Sequence, residues 1–498
     1  MLSEKSEEIS RKYKEYNFFD QNKSENYYLL PFKFHRLNES KEIIVNEVGD
    51  FLILPQGTIE RIINKKINKN EEQQLYANLI SNFFISESKL DILIDILATR
   101  YRTKKSFLDD FTSLHIFVIT LRCDHSCQYC QVSRVSQDKE LFDMSIEHIN
   151  KSIDIMLMSP SKSITMEFQG GESLLAFEKV AYAVERTEKL SKDTDKNIQY
   201  VICTNLSQIN DYILDYCNEH KILISTSLDG HAILHNSNRR RQGNNSHELA
   251  VKGINMCIEK LGIDRVSALM TTTSLSIQYP SEIVDEYYNI GFRSIFLRSA
   301  SPYGYAFKNK KFVNYSDEDF ITFYKKALNR IIEYNLNGKY FREEYATIIL
   351  KKILTPFPVG FVDLNSPAGA IVNVVVFNYD GGVYVSDEGR MLAEMKDHSF
   401  ELGHLDSHTY KEIFYGEKAQ LISQFMVNES LPGCSECAFQ CYCGADPVRN
   451  HATQGNMIGY RPTNTFCMHN LNIILHLFEL MDNDHKVKEI FEMWVSNK

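Results

Sequence analysis

Cys123-Asp-His-Ser-Cys127-Gln-Tyr-Cys130 follows directly on the apolar run His115–Leu121. The spacing, Cys-x3-Cys-x2-Cys, puts three thiolates on one short loop, close enough to bind three irons of a cubane cluster. A [4Fe–4S] cluster normally takes four thiolates. Three, with no fourth nearby, leave one iron open to an outside ligand. The competing reading is zinc, which needs a fourth protein ligand in tetrahedral geometry. His125 is the candidate, but it lies inside the loop, where reaching the metal together with all three cysteines is awkward.

The run before this loop opens a regular alternation of strand and helix from Ser113 to about Asn337. Strand-like runs are His115–Leu121, Ile164–Phe168, Ile198–Thr204, Ile222–Leu228, Val266–Thr272 and Ser294–Leu297. Helical stretches lie between them, with Ile146, Ile149, Ile153, Met156 and Leu157 on one stripe. Six β–α units in series predict an α/β fold, a parallel sheet closed or nearly closed into a barrel with helices outside. In such folds functional residues collect where strands end.

Residues 1–105 read as a separate module. Phe32–Leu37, Glu42–Asn46 and Phe51–Leu54 are short strands, with a turn at Val48-Gly49-Asp50. Helical patterns follow, through Ile59, Ile62, Ile63 and Ile67 and then Leu75, Leu79 and Phe83. Strands followed by helices suggest a winged-helix-like peptide-recognition module; a structural extension of the next domain is the alternative. Residues 106–337 form the barrel core. Residues 338–498 are less regular, with a hairpin (Val372–Phe377, then Tyr379-Asp-Gly-Gly, then Val383–Val385), a cysteine-rich loop segment and a last amphipathic helix from Asn470 to about Met481.

Composition narrows the function. The 498 residues are 43% hydrophobic and 24% charged, an ordinary globular balance. The net charge of −10 argues against a nucleic-acid partner, and the one basic run, Arg239–Arg241, is too short to reverse that. The charged start, Met1-Leu-Ser-Glu, lacks a signal peptide's apolar stretch, and no apolar window is long enough to span a bilayer. The expectation is a cytoplasmic protein without a membrane partner. In that compartment the 11 cysteines, eight of them in two tight groups, point to metal or redox chemistry.

At this point the chain resembles the radical S-adenosylmethionine (SAM) superfamily. Cys123, Cys127 and Cys130, with Tyr129 just before the last, match its cluster motif. Gly170-Gly171-Glu172 matches the motif for the methionine amino group, two glycines for close backbone approach and a carboxylate to accept from an ammonium. Asn205, ending the third strand, matches a recurrent family position. Ser225, Ser227 and Asp229-Gly230 end the fourth strand, where the family contacts the SAM ribose and methionine. His235-Asn236 and Arg239 fall at the spacing of the sulfatase-maturase-like branch, in which such an arginine pairs with the SAM carboxylate. Arg298, ending the sixth strand, is a weaker match. The resemblance implies that SAM chelates the open iron, is cleaved reductively, and yields a 5′-deoxyadenosyl radical that abstracts hydrogen from a substrate. The cofactors carry the difficult step; the protein orients and excludes water. An external electron donor of flavodoxin or ferredoxin type is implied.

The second group is Cys434-x2-Cys437-x3-Cys441-x-Cys443 and, further on, Cys467. Five cysteines so spaced are a metal-site signal, with zinc the competing reading. The pattern resembles the SPASM extension of peptide-modifying radical SAM enzymes, which carries auxiliary [4Fe–4S] clusters. Cys434, Cys437, Cys443 and Cys467 match its second auxiliary set, and Cys441 is extra. Ser366, Ser386 and Pro447 stand where the first auxiliary site has cysteines. The resemblance therefore implies one auxiliary cluster, in a loop-rich SPASM-like domain. Cys203, Cys217 and Cys257 sit singly and read as buried, inert thiols.

Over nearly the whole chain the layout resembles His-Xaa-Ser system radical SAM maturases of the HxsB type. The carrying segments are Phe34-His-Arg-Leu37 with Asn46-Glu-Val-Gly-Asp50, Cys127-Gln-Tyr-Cys-Gln-Val-Ser133, Tyr379–Met391 and Cys443-Gly-Ala-Asp-Pro447. What this implies is a ribosomally made precursor peptide with a leader as substrate, modified by side-chain cross-linking, and a second radical SAM maturase as partner. Two alternatives stay open: a sulfatase-maturase-like oxidase of a protein Ser or Cys, and a non-enzymatic zinc-binding adaptor. No general base is assigned; Asp387 and Glu388 lie beside the hairpin as solvated turn carboxylates.

Overall fold

A computed structural model describes residues 27–87, 91–130, 138–304 and 315–496. The charged N-terminus and Gln131–Ser133 of the quoted motif lie outside the described residues. The chain divides into two compact units, Met1–Thr99 and Arg100–Lys498.

In the first unit β1 (Phe32–Arg36), β2 (Lys41–Asn46) and β3 (Phe51–Pro55) form an antiparallel sheet with β2 in the middle. The Asn46–Asp50 turn is fixed by one side chain: Asn46 Oδ1 accepts from the Val48 and Asp50 amides, both at 3.0 Å. Gly49, at φ 84°, takes the left-handed position the turn requires. Helices Thr58–Ile63 and Gln73–Ser81 close over the sheet, burying Ile44, Ile59, Ile62, Tyr76 and Leu79 in one core. Ile63, expected on the buried stripe, is 44% exposed.

The second unit is built on one eight-stranded sheet. Its strands are β4 (Leu114–Thr120), β5 (Ser163–Gly170), β6 (Asn197–Thr204), β7 (Leu223–Ser227), β8 (Val266–Leu269), β11 (Val374–Phe377), β12 (Gly382–Tyr384) and β13 (Glu401–His404). The sheet order is β8-β7-β6-β5-β4-β11-β12-β13, parallel from β8 through β11 and antiparallel beyond. Five strands in chain order, each joined to the next through helices, give the curved sheet that the alternation predicts. Strand β4 is buried throughout its centre, Ile116 to Ile119, as a strand covered on both faces must be. The helix Ile146–Leu157 buries Ile149, Ile153 and Met156 while Ile146, at its first turn, stays 43% exposed.

The expected sixth barrel strand differs. Only β9 (Ser294–Ile295) is extended there, and it pairs with β10 (Arg342–Glu343) and not with β8. One backbone bond, Thr272 N–H to Arg298 O at 2.9 Å, links the ends of the two segments. The sheet grows instead at its other edge, where β11 lies beside β4, and Val374 and Val376 of β11 with Tyr384 of β12 pack against Ile116 and Val118. This brings the 361–391 region next to the ends of the parallel strands. The helix expected from Asn470 runs Thr465–Asn483, starting earlier because Asn464 caps it, and it is not the last: a further helix, His485–Ser496, follows. Among the described residues no helix is long and apolar enough to cross a membrane.

Candidate active site

The C-terminal ends of β4 to β8 surround a cavity of about 570 Å³. Cys123, Cys127 and Cys130 line it, as do Tyr129, Gly170, Gly171, Asn205, Ser225, Ser227, Arg239 and Arg298. Glu172 and Asp229 do not; both are buried behind the wall.

The loop's root is pinned by a bidentate pair: Arg122 Nε and Nη2 lie 2.6 and 2.8 Å from the two oxygens of Asp143. Its middle is zipped to the chain after β7, Cys127 opposite Arg239 and Ser126 opposite Arg240 in antiparallel register. Tyr129 Oη donates to Asp229 at 2.6 Å, Arg239 Nε sits 3.3 Å from the same oxygen, and the guanidinium is 5.4 Å from the Tyr129 ring centre. Burial opposes the charge of Arg239, but Asp229, Tyr129 and Cys127 together outweigh it and raise the guanidinium's pKa. These groups fix the loop against the sheet.

The glycines have a reason internal to the fold. A Cβ at Gly170 would lie 2.0 Å from Thr120 O, and one at Gly171 2.2 Å from Arg122 O. The end of β5 must touch the backbone leading into the cysteine loop, and any side chain would push the two apart. Glu172 accepts from the Leu174 amide at 3.1 Å, Thr204 Oγ1 at 2.5 Å and the Asn205 amide at 2.7 Å, which ties β5 to the end of β6. Burial pushes its carboxyl up to about 7. Asn205 in turn donates to Asp124 and meets His125 Nδ1, both at 2.9 Å. Burial favours neutral Asp124, yet hydrogen bonds from His125, Ser207 and Asn205 hold its pKa below the ordinary range.

Burial raises the thiol pKa of Cys123, and that of Cys127 to about 12 despite Arg239 beside it. Such thiols stay protonated unless a metal takes the proton's place. Cys123, Cys127 and Cys130 on one fixed loop, with a cavity in front, suit a three-thiolate cluster with an open iron. Among the described residues the one set of three potential ligands within 4.8 Å of one another is Cys123, Asp124 and His125. It lacks Cys127 and Cys130 and spends its imidazole on Asp124, so it makes a poor zinc site.

Sequence reasoning missed several lining residues. Glu167 and Gln169 on β5 and Cys203 on β6 face the cavity, with Cys203 Sγ 3.5 Å from Glu167 Oε1. Cys203 is thus part of the wall and not an isolated core thiol; Cys217 and Cys257 are buried as expected. Asp363, Asp387, Glu388 and Met391 close the cavity from the C-terminal region.

The second cysteine group lies elsewhere. Cys434, Cys437, Cys443 and Cys467 line none of this cavity, but the charges of Cys434 and Cys437 act on both Cys443 and Cys467. Ser366 Oγ accepts from the Asn428 amide at 3.0 Å and donates to Glu429, and Ser386 caps the helix Asp387–Glu394. Pro447 opens the helix Pro447–Gln454. All three positions have structural partners or places of their own.

A profile of the Radical SAM superfamily matches residues 117–285. Over those residues, about a third of the chain, the sequence is similar to the radical SAM enzymes. That similarity implies a [4Fe–4S] cluster and SAM. The chain is similar to the cysteine-type anaerobic sulfatase-maturating enzyme of Clostridium perfringens, 24% identical over 331 residues, 64% of this chain and 84% of that one. An uncharacterized protein of Methanocaldococcus jannaschii is 32% identical over 115 residues, 23% of this chain but 38% of its own length. In fold the chain resembles native anSMEcpe with bound AdoMet, with a TM-score of 0.62, 18% identity, and 77% and 100% of the two chains covered. It also resembles Streptococcus suis SuiB bound to its precursor peptide SuiA, with a TM-score of 0.51, 13% identity, and 88% and 99% covered.

Proposed function

We propose that this enzyme is a maturase that modifies a ribosomally made precursor peptide, joining side chains in a cross-link, in the manner of the HxsB-type maturases it resembles. The observation that carries the reading is the cavity itself. Three thiols and the strand ends form one side, and Asp363, Val374, Ser386, Asp387, Glu388 and Met391 of the C-terminal region form another. When bound, the cluster and SAM supply the one-electron cleavage that makes hydrogen abstraction possible. Cys123, Cys127 and Cys130 would hold the iron. Gly170, Gly171, Asn205, Ser225, Ser227 and Arg239 would cradle SAM, with Glu172 and Asp229 setting the cradle from behind. Arg298, at the far strand end, would face SAM or substrate.

In this reading Cys434, Cys437, Cys443 and Cys467 hold one fully ligated auxiliary cluster, which passes electrons or braces the fold. Reduction would come from a flavodoxin- or ferredoxin-type donor, and a second radical SAM maturase would share the precursor. Residues 1–105 would recognise the leader by adding a peptide strand to the β1 or β3 edge. The sulfatase-maturase reading, oxidation of a protein Ser or Cys, has the Clostridium perfringens relative in its favour. Against it stand Ser366, Ser386 and Pro447, with no thiolates for a further auxiliary cluster.

Mass spectrometry of a precursor encoded beside the gene, after co-expression, tests the proposal. A loss of two hydrogens, with no fragment ions between the two joined residues, is the expected result. An aldehyde at a single Ser or Cys would establish the second reading instead.

A further inference from the structure

Beside the main cavity, and sharing Arg298, Asp363 and Glu388 with it, is a side chamber of about 60 Å³. That is several times what a single water needs. Tyr303, Asp446 and Arg449 are among its other polar lining residues, as is His469, which burial keeps neutral. The residues come from the segment that follows β9, the 361–364 turn, and the N-terminal ends of the helices Asp387–Glu394 and Pro447–Gln454.

The charges in this chamber do not cancel. Three carboxylates face two guanidiniums, and Glu167 and Asp387 on the adjoining cavity wall add two more carboxylates. Among the described residues neither arginine forms an ion pair with any of them. Asp446 accepts from the Arg449 amide at 2.8 Å, a helix cap that neutralises nothing. Burial raises the pKa values of Asp363, Glu388 (to about 7) and Asp446 (to about 6), and the carboxylates raise one another further. A second observation is independent of the acids. Tyr303 is 1% exposed, lines the chamber, and its hydroxyl has no hydrogen-bond partner among the described residues. Arg449 Nε is likewise unpartnered. Polar groups brought out of water without partners are costly, so a chamber kept this way is incomplete without a ligand.

The excess of carboxylates selects the ligand's sign. A metal ion is disfavoured because no three of these acids bring ligand atoms within 4.8 Å of one another. An organic cation has N–H groups for several carboxylates and for the Tyr303 oxygen at once. We propose that the chamber formed by Tyr303, Asp363, Glu388 and Asp446 is a recognition site for a cationic side chain of the substrate, a lysine ammonium or arginine guanidinium, and so sets which residue is held beside the main cavity. This rests on the reading of the substrate as a peptide.

The test uses the cluster-reconstituted, SAM-loaded enzyme and titration calorimetry. The probes are agmatine, acetyl-lysinamide with its free side-chain ammonium, and the neutral acetyl-norleucinamide. The wild type should bind the two cations at least about tenfold more tightly than the neutral probe. Glu388→Gln and Asp363→Asn should remove most of that preference. Asp446→Asn, whose side chain still caps the helix, should do the same and carries the test where another variant fails to fold, as judged by circular dichroism and iron content. Equal binding of lysine and norleucine probes, no binding of either cation, or an unchanged preference in folded variants would each overturn the proposal. So would variants that lose SAM affinity while keeping the cation preference. Cation binding that depends on these acids, in an enzyme that modifies no peptide, would leave the chamber standing and count against the maturase reading alone.

Discussion

The two cysteine groups are built in different ways. Cys123, Cys127 and Cys130 sit on a loop held by distant parts of the chain: Asp143 at its root, Arg239 and Arg240 paired to its middle, Asp229 bonded to its tyrosine. Their thiols border open space. Cys434 to Cys443 are placed by local turns, Cys434 N–H to Leu431 O, Cys437 to Cys434 and Cys443 to Gln440, at 3.0 to 3.3 Å. Cys467 is brought in by a helix whose cap, Asn464, accepts its amide at 2.9 Å. Lys352 Nζ clamps Cys443 O at 2.9 Å, and burial lowers its pKa to about 8. A metal site that must take an outside ligand needs a rigid rim and room in front; a fully ligated one needs only its own turns. The first group has the former and the second the latter.

That contrast breaks most sharply at the first group. Replacing Cys123, Cys127 and Cys130 together with alanine should reduce formation of 5′-deoxyadenosine under reductant to background, measured by chromatography. Cleavage that persisted would move the reactive cluster to the C-terminal group and reverse the roles.

Iron content sharpens it next. Two clusters correspond to about eight irons, and either the triple variant or one lacking Cys434, Cys437, Cys443 and Cys467 should keep about half. A reconstituted enzyme with about twelve would mean that further ligands exist, and zinc replacing half the iron would make the second site structural.

A third experiment separates peptide capture from SAM chemistry. The first compact unit ends at Thr99, inside the helix Asp91–Lys104, and Tyr101 and Lys105 of the second unit bond to Glu429 at 2.8 and 2.6 Å. A truncation should therefore remove residues 1–87 and spare that helix. It should retain uncoupled SAM cleavage and lose modification of the full-length precursor; modification at the normal rate would assign the module a structural role.

The legibility of the two regions differs for the same reason they are built differently. The first motif follows a strand, so period-two alternation fixes what faces inward: Asn205, Ser225 and Ser227 were readable, and the same parity on β5 and β6 would have found Glu167, Gln169 and Cys203. The glycine pair was readable as a close approach, but not that Thr120 and Arg122 are what it approaches, since that depends on strand register. The missing sixth strand had no signal either, because Ser294–Leu297 is apolar enough for a strand and its pairing with Arg342–Glu343 is a tertiary choice. The side chamber was invisible: its residues lie far apart in sequence and share no motif.

Smaller effects follow at the loop's support. Glu172 is surrounded by three donors and pushed up to about 7 by burial. Its folded pKa lies above its unfolded one, so the fold binds the proton more tightly. Stability is then greatest below about 4.5 and declines as the pH rises through about 7. Glu172→Gln should flatten that decline, by something on the order of 3 kcal/mol across the window, at a cost of about 1–3 kcal/mol for turning an amide group toward donors. Denaturant melts across that pH range read both. A wild-type curve that rises over the window would mean the carboxylate is stabilised as the anion, with a cation near it.

The smallest expected effect is at Cys441, the extra thiol of the second group. It sits within the short turn Gln440–Tyr442, between ligands and not in their pattern. Four thiolates complete a cubane cluster, and Cys434, Cys437, Cys443 and Cys467 already number four. The charge of Cys441 acts on Lys352, as that of Cys443 does, so the thiol lies near the clamp. Cys441→Ala should leave iron content and 5′-deoxyadenosine formation near wild type and cost on the order of 1 kcal/mol through lost packing. Electron paramagnetic resonance of the reduced enzyme gives the finer reading, since exchange of a ligand alters the auxiliary cluster's signal even where the iron count stays constant. An unchanged signal keeps Cys441 outside the cluster. Loss of half the iron would make it a ligand in place of one of the four, and the matched spacing on which the second site rests would have to be redrawn.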